Sequence, residues 1–93
     1  MHFLYILYST ELNRYYVGES EKPYFRVKLH NAHHFKRAFT NAADDWELTL
    51  VYQVKNKTTA LYLEKFIKKM KSKKFIEKII CKPSILEDIL KKR

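Results

Sequence analysis

Two tyrosine-bearing runs near the start of the chain constrain its fold most. Residues 3–8, Phe3-Leu4-Tyr5-Ile6-Leu7-Tyr8, are apolar at nearly every position. After the polar link Ser9-Thr10-Glu11-Leu12-Asn13-Arg14 comes Tyr15-Tyr16-Val17-Gly18. Aromatic and β-branched runs on either side of a turn-forming link predict a β-hairpin. A strand that is apolar on both faces is covered on both, so the first run belongs in the middle of a sheet. Gly18 is the only glycine of the chain. Its place two residues after Tyr16 predicts a bend, or the close approach of another group.

The remaining elements follow from spacing. Pro23 suits a first helical turn, and Ser20 or Glu21 can cap it or complement its dipole, which gives a helix over 23–31. Arg26 and His30, four apart, share one face of that helix. Residues 32–45 lack a sustained period and read as a loop with one helical turn, pinned by Phe35 and Phe39 meeting on one side of it. A third strand is predicted over 46–54, where Leu48, Leu50, Tyr52 and Val54 alternate with Thr49 and Gln53. Thr58 is the expected cap of a helix over about 59–71, with Ala60, Leu63, Phe66, Ile67 and Met70 on its core stripe. Glu64 falls at the edge of the stripe, where a carboxylate is costly unless a cation or donor meets it. Phe75, Ile76, Ile79 and Ile80 predict a helix over 72–81 that Pro83 ends. Ser84-Ile85-Leu86-Glu87 matches a capping box opening a last helix over about 84–92. The order β-β-α-β-α-α-α predicts an α/β or α+β domain, a small three-stranded antiparallel or mixed sheet with helices packed on it.

At 93 residues the chain is one domain, 1–93, with a core over about 2–80 and the C-terminal helix beyond it. An apolar content of 46% excludes a disordered chain. No apolar run approaches the ~20 residues of a membrane span, so no membrane partner is expected. The opening residues carry no signal-peptide pattern. The one cysteine, Cys81, leaves no intramolecular disulfide and reads as a small buried hydrophobe, so the expectation is a cytoplasmic protein. The charge is more telling. Nineteen Lys and Arg against ten Asp and Glu give a net charge of +9, which favours a polyanion. Eleven of the nineteen lie in residues 65–93 beside only three acids. Lys65, Lys68, Lys69, Lys71, Lys73 and Lys74 are the expected phosphate-tracking surface, with contacts to the backbone or to a branched or flapped shape because no base-reading motif is visible. His33 and His34 are adjacent in a loop, a poor arrangement for zinc.

The pair Phe3-Leu4-Tyr5 and Tyr16-Val17-Gly18 resembles the signature of the GIY-YIG nuclease family, and the likeness continues in order over about residues 3–80. Arg26 stands ten residues after Tyr16, where the family carries a helical arginine. His30 lies one turn on, where many members have histidine. Glu64, in Ala60-Leu61-Tyr62-Leu63-Glu64-Lys65, matches the family's metal-binding glutamate. The run 71–78 looks like the tail of small single-domain members. The resemblance implies an endonuclease cutting DNA, in repair, recombination or processing, with one Mg²⁺ or Mn²⁺ on Glu64. It implies that Arg26 grips the phosphate, Tyr16 takes a proton from the attacking water, His30 orients that water or relays the proton, and Tyr5 holds the phosphate or Tyr16. The chemistry suits these residue types: a carboxylate is a hard ligand, an arginine a planar fork of donors, and a phenol beside positive charge a base.

Several positions depart from the family pattern. Phe3 and Leu4 replace glycine and isoleucine, and Val17 replaces isoleucine. Glu19 follows Gly18 where members carry a neutral or basic residue. Phe25 stands where many have a second arginine, and no asparagine follows Asn56. Glu19 and the missing asparagine point to the alternative, a weak or inactive nucleic-acid-binding module of the same fold. A domain this small has little surface for specificity, which suggests help from a second copy or a protein partner.

Overall fold

The continuous apolar run at the start does sit in the middle of a sheet. A computed structural model describes all residues, 1–93. In it β1 (His2–Ser9) pairs antiparallel with β2 (Arg14–Ser20) on one side and with β3 (Glu47–Val54) on the other. The order is β2-β1-β3, so the sheet is antiparallel throughout rather than mixed. Helices α1 (Pro23–Asn31), α2 (Lys57–Met70), α3 (Lys73–Cys81) and α4 (Ser84–Lys91) complete the expected α+β order, with a short 3-10 turn at Phe39–Ala42. No helix is long and apolar enough to cross a membrane.

Each face of β1 buries its own cluster. Leu4 and Ile6, with Val17 of β2, pack against Ala60, Leu63 and Ile67 of α2, Ile79 of α3 and Leu86 and Ile89 of α4. Tyr5 and Leu7 point the other way, into a smaller cluster with Ala43 and Trp46, flanked by Tyr16, Val27 and Leu48. The apolar sides of α3 and α4 are thus spent largely on the chain's own core.

Simple alternation fails in β3, because the strand contains a bulge. Ile6 pairs with Leu50 but Leu7 pairs with Leu48, which leaves Thr49 without a partner residue in the ladder. Its Oγ1 donates to the Ile6 carbonyl at 2.9 Å. One extra residue moves every side chain before it to the opposite face. Leu50, Tyr52 and Val54 therefore join the Leu4 cluster, and Leu48 joins Tyr5 and Trp46.

Gly18 has an ordinary negative φ, so backbone freedom does not explain it. It lies opposite Tyr5 in the β1–β2 ladder, and a Cβ there would come within 2.6 Å of the Tyr5 Cζ and hydroxyl oxygen. Of the two roles expected for this glycine, the close approach is the one the structure shows.

Capping differs from the spacing-based expectation at three helices: neither Ser20 nor Glu21 caps α1, whose cap position is Lys22 with no side-chain bond and no acid in the first turn. Asn56, not Thr58, caps α2: its Oδ1 accepts from the Thr59 backbone N–H and from Thr59 Oγ1, both at 2.9 Å. An extended Asn is as good a cap as Thr and stands where the chain turns. In α4 the cap position is Pro83, Ser84 is already helical, and no side chain caps that end. Proline's fixed φ starts the helix one residue earlier than the Ser-x-x-Glu spacing implies. Ser72 caps α3 by accepting from the Phe75 N–H at 3.1 Å. Met70, expected on the core stripe, is 49% exposed, and Cys81 is exposed rather than buried. Helix α2 stops at Lys71, which takes a left-handed conformation, φ 49° and ψ 39°.

The segment between α1 and β3 is held by polar bonds. The Asn31 amide donates to the Trp46 carbonyl at 2.9 Å and accepts the Trp46 N–H at 2.8 Å. The indole N–H of Trp46 donates to the Thr40 carbonyl at 2.8 Å. Phe35 and Phe39 do not meet. Phe35 packs on His30, and Phe39 packs on Trp46, because the left-handed Arg37 between them breaks any shared helical turn.

Candidate active site

The residues singled out from the sequence come from four elements and converge towards the β2 side of the sheet. Tyr5 lies on β1, Tyr16 on β2, Arg26 and His30 on α1, and Glu64 on α2. The Tyr5 and Tyr16 rings are 6.4 Å apart between centroids, and the Tyr16 and His30 rings 4.9 Å. Lys68, one turn beyond Glu64, brings its ammonium to 5.4 Å from the Tyr16 ring centroid. The α1 and α2 contributions thus meet at Tyr16 although α2 packs in the Leu4 cluster.

Tyr5 is fully buried, and its hydroxyl lies 3.0 Å from His30 Nε2. Burial pushes the phenol up to about 12; Tyr16 adds to the rise, the Arg26 guanidinium beside it opposes the rise, and the Glu64 carboxylate adds to it. At neutral pH Tyr5 is a neutral donor. His30 is 2% exposed, and burial, then the Arg26 charge, lowers it to about 4. Its ring is therefore neutral, with one nitrogen donating and the other accepting. His30 Nδ1 is hydrogen-bonded to Thr40 Oγ1 at 2.7 Å. Both imidazole nitrogens are engaged inside the protein, and the Tyr5–His30–Thr40 chain fixes the Tyr5 ring over Gly18.

Arg26 is the unsatisfied member of the group. It belongs to neither of the two ion pairs in the chain. Its guanidinium carbon stacks 4.6 Å from the Phe35 ring centroid, and its buried Nε–H has no acceptor. A half-buried cation with an orphaned donor is a place for an anion's oxygens. Glu64, with a side chain 19% exposed, accepts from Lys68 Nζ at 3.0 Å. Glu19 is bonded by the His2 ring nitrogen Nε2.

The donor set decides which metal could be held. No group of three His, Cys, Asp or Glu side chains gathers anywhere in the chain. A zinc cage of three or four protein ligands therefore has no place, and His33 Nε2 is 3.0 Å from the Ala43 carbonyl. A hard cation of the Mg²⁺ kind fits, because it binds through one or two carboxylates and keeps water and phosphate oxygens for the rest.

The lysines divide. Lys68, Lys71 and Lys73 line an open groove of about 680 Å³ that runs from Tyr16 between the hairpin and the α2–α3 turn. Lys65 and Lys69 lie exposed on α2 outside it, and Lys74 lines a separate hollow with Lys78 and Lys82. Sequence reasoning missed Thr40 and Arg14 and read Phe39 only as a residue pinning its loop. A threonine in an aperiodic loop carries no signal, but Arg14 at the foot of a tyrosine-rich strand did.

A family model, described as the GIY-YIG catalytic domain, matches residues 1–78. No curated protein and no solved structure matches the chain significantly.

Proposed function

The chain belongs to the GIY-YIG family of nucleases, whose model spans most of its length, and on that premise we propose a metal-dependent endonuclease that hydrolyses DNA phosphodiester bonds. The observation that carries the proposal is Arg26, in no ion pair and with an orphaned Nε–H, next to Tyr5, whose phenol also senses Tyr16 and Glu64. In this reading Arg26 binds the non-bridging oxygens of the scissile phosphate through its fork of donors. Tyr16, the more accessible of the two tyrosines, acts as its phenolate and takes a proton from the attacking water, becoming the neutral phenol as the hydroxide attacks phosphorus. Tyr5 is a buried neutral phenol behind the phosphate position, and its bond to His30, itself held by Thr40, positions it. Glu64 would hold one Mg²⁺ or Mn²⁺, which when bound polarises a phosphoryl oxygen and stabilises the leaving oxygen. Recognition runs through backbone and shape, with Lys68, Lys71 and Lys73 nearest the reacting phosphate and Lys65, Lys69 and Lys74 at the periphery.

A second reading, a nucleic-acid-binding module without catalysis, is favoured by the Lys68 ammonium seated on Glu64. Magnitude ranks it behind. A pair this exposed is worth about 0–1 kcal/mol, so a divalent ion displaces Lys68 at little cost.

The test is incubation with branched, flapped and plasmid DNA in Mg²⁺ or Mn²⁺. Cleavage that is lost in Glu64→Ala and in Arg26→Ala supports the enzyme. Cleavage that persists in either variant removes this mechanism. Salt-sensitive binding without nicking in any metal leaves the second reading standing.

A further inference from the structure

The groove beside Tyr16 has a composition that phosphate binding alone does not explain. Four cations line it, Arg14, Lys68, Lys71 and Lys73, and no acid does. Tyr15, Tyr16 and Phe39 line it as well, with Ile67 and Ile76 at its floor. A wall for duplex phosphates needs donors, and an apolar floor wastes the contact. Phe39 is 48% exposed although it packs on Trp46, so a large aromatic surface is left facing the groove. Lys73 is occupied with Asn13, donating to its Oδ1 at 2.8 Å and to its carbonyl at 3.1 Å. Arg14 and Lys71 are in no ion pair and are exposed.

We infer that this groove takes an unpaired nucleotide next to the scissile phosphate, its base against Phe39 and its phosphates on Arg14 and Lys71. Cations on a rim with aromatic faces between them are how proteins grip single strands, because every base has a face to stack and every linkage a charge to meet. The volume, about 680 Å³, lies within the range of pockets that enclose a small ligand and suits one or two unstacked nucleotides. A base inside a duplex cannot enter. The substrate class is therefore a junction with a single-stranded arm, a flap or overhang, and not an uninterrupted duplex. This assignment rests on the nucleic-acid reading of the neighbouring site.

Abasic arms separate base binding from charge. Fluorescence anisotropy at fixed salt compares a duplex with a natural single-stranded arm, the same duplex with an abasic arm, and the blunt duplex. The expected result is about tenfold tighter binding of the natural arm than of the abasic arm, since one base–aromatic stack is worth about that factor. Phe39→Ala should erase the difference between the two arms, and Phe39→Trp should keep it; circular dichroism confirms that both fold. Equal affinity for natural and abasic arms in the wild type overturns the inference. Cleavage assays on the same oligonucleotides keep the two claims apart. A base-dependent arm preference with no cutting sinks the nuclease and leaves the groove, and cutting without arm preference does the reverse.

Discussion

The Tyr5 ring lies across the bare Cα of Gly18, with its Cζ only 2.6 Å from where a methyl group would begin. The ring has nowhere to retreat, since its hydroxyl is tied to His30 and the whole side chain is buried. Gly18→Ala should cost about 1–3 kcal/mol of stability, the usual range for overpacking, as measured by urea unfolding. Cleavage of a flapped substrate should fall with it. Alanine with unchanged stability would mean that the ring is held less firmly than the bond to His30 implies.

Acid should unfold this protein partly through His30. The folded imidazole sits at about 4, while an exposed one titrates near 6.5. Between those values the unfolded chain binds the proton and the folded chain does not, so stability falls as the pH drops through that window and is flat above it. The full effect is roughly 3 kcal/mol for a group this buried. His30→Gln should lose this part of the pH dependence, read as the difference between wild-type and variant urea midpoints at pH 4 and pH 7. Arg26→Ala removes one cause of the depression and should move the His30 titration upward, visible in the imidazole proton resonances.

Arg26→Lys keeps the charge and loses the planar fork. If Arg26 holds the phosphate by two parallel bonds, cleavage drops by about 10²-fold, the scale of removing one preorganised donor from a transition state. Thermal stability should barely change, because Arg26 has no carboxylate partner to lose. A lysine variant with wild-type turnover would reduce Arg26 to a generic cation.

Lys71 sets stability against binding. A non-glycine residue in the left-handed region costs about 1–2 kcal/mol, and Lys71 occupies it at the end of α2. Lys71→Gly should raise the melting temperature. It should also weaken DNA binding and reduce the slope of log affinity against log salt by about one. A variant that gains stability and binds as before would show that Lys71 meets no phosphate.

Asn31 ties the end of α1 to the start of β3 through two bonds to Trp46. Asn31→Ala leaves both backbone groups of Trp46 without those partners and should cost about 1–3 kcal/mol. Trp46 is the only tryptophan and is buried, so its emission reports the change directly. A red shift below the main unfolding transition is expected.

The element order was legible because α2, α3 and α4 carry helical periods and β1 is a continuous apolar run, while α1, whose apolar residues form no clean stripe, falls where Pro23 predicted it. The convergence of Tyr5, Tyr16, Arg26, His30 and Glu64 was implied by resemblance to a known family, not by spacing. What the pattern hid was non-local. The bulge at Thr49 turns Leu48 over without changing the alternation in the sequence. The Thr40 hydroxyl acts through His30, which is ten residues away in the chain and 2.7 Å away in space. Met70 has the right period for burial but lies in the last turn of α2, where no partner covers it. Asn56 and Thr58 are both good caps, and only the backbone path chooses between them.

Lys68 gives Glu64 a counter-charge from within its own helix. The carboxylate is balanced before any divalent ion arrives, so the chain should reach and keep its shape in a chelator. Adding the ion then changes what the surface can do and leaves its architecture alone, which separates readiness to react from the ability to fold.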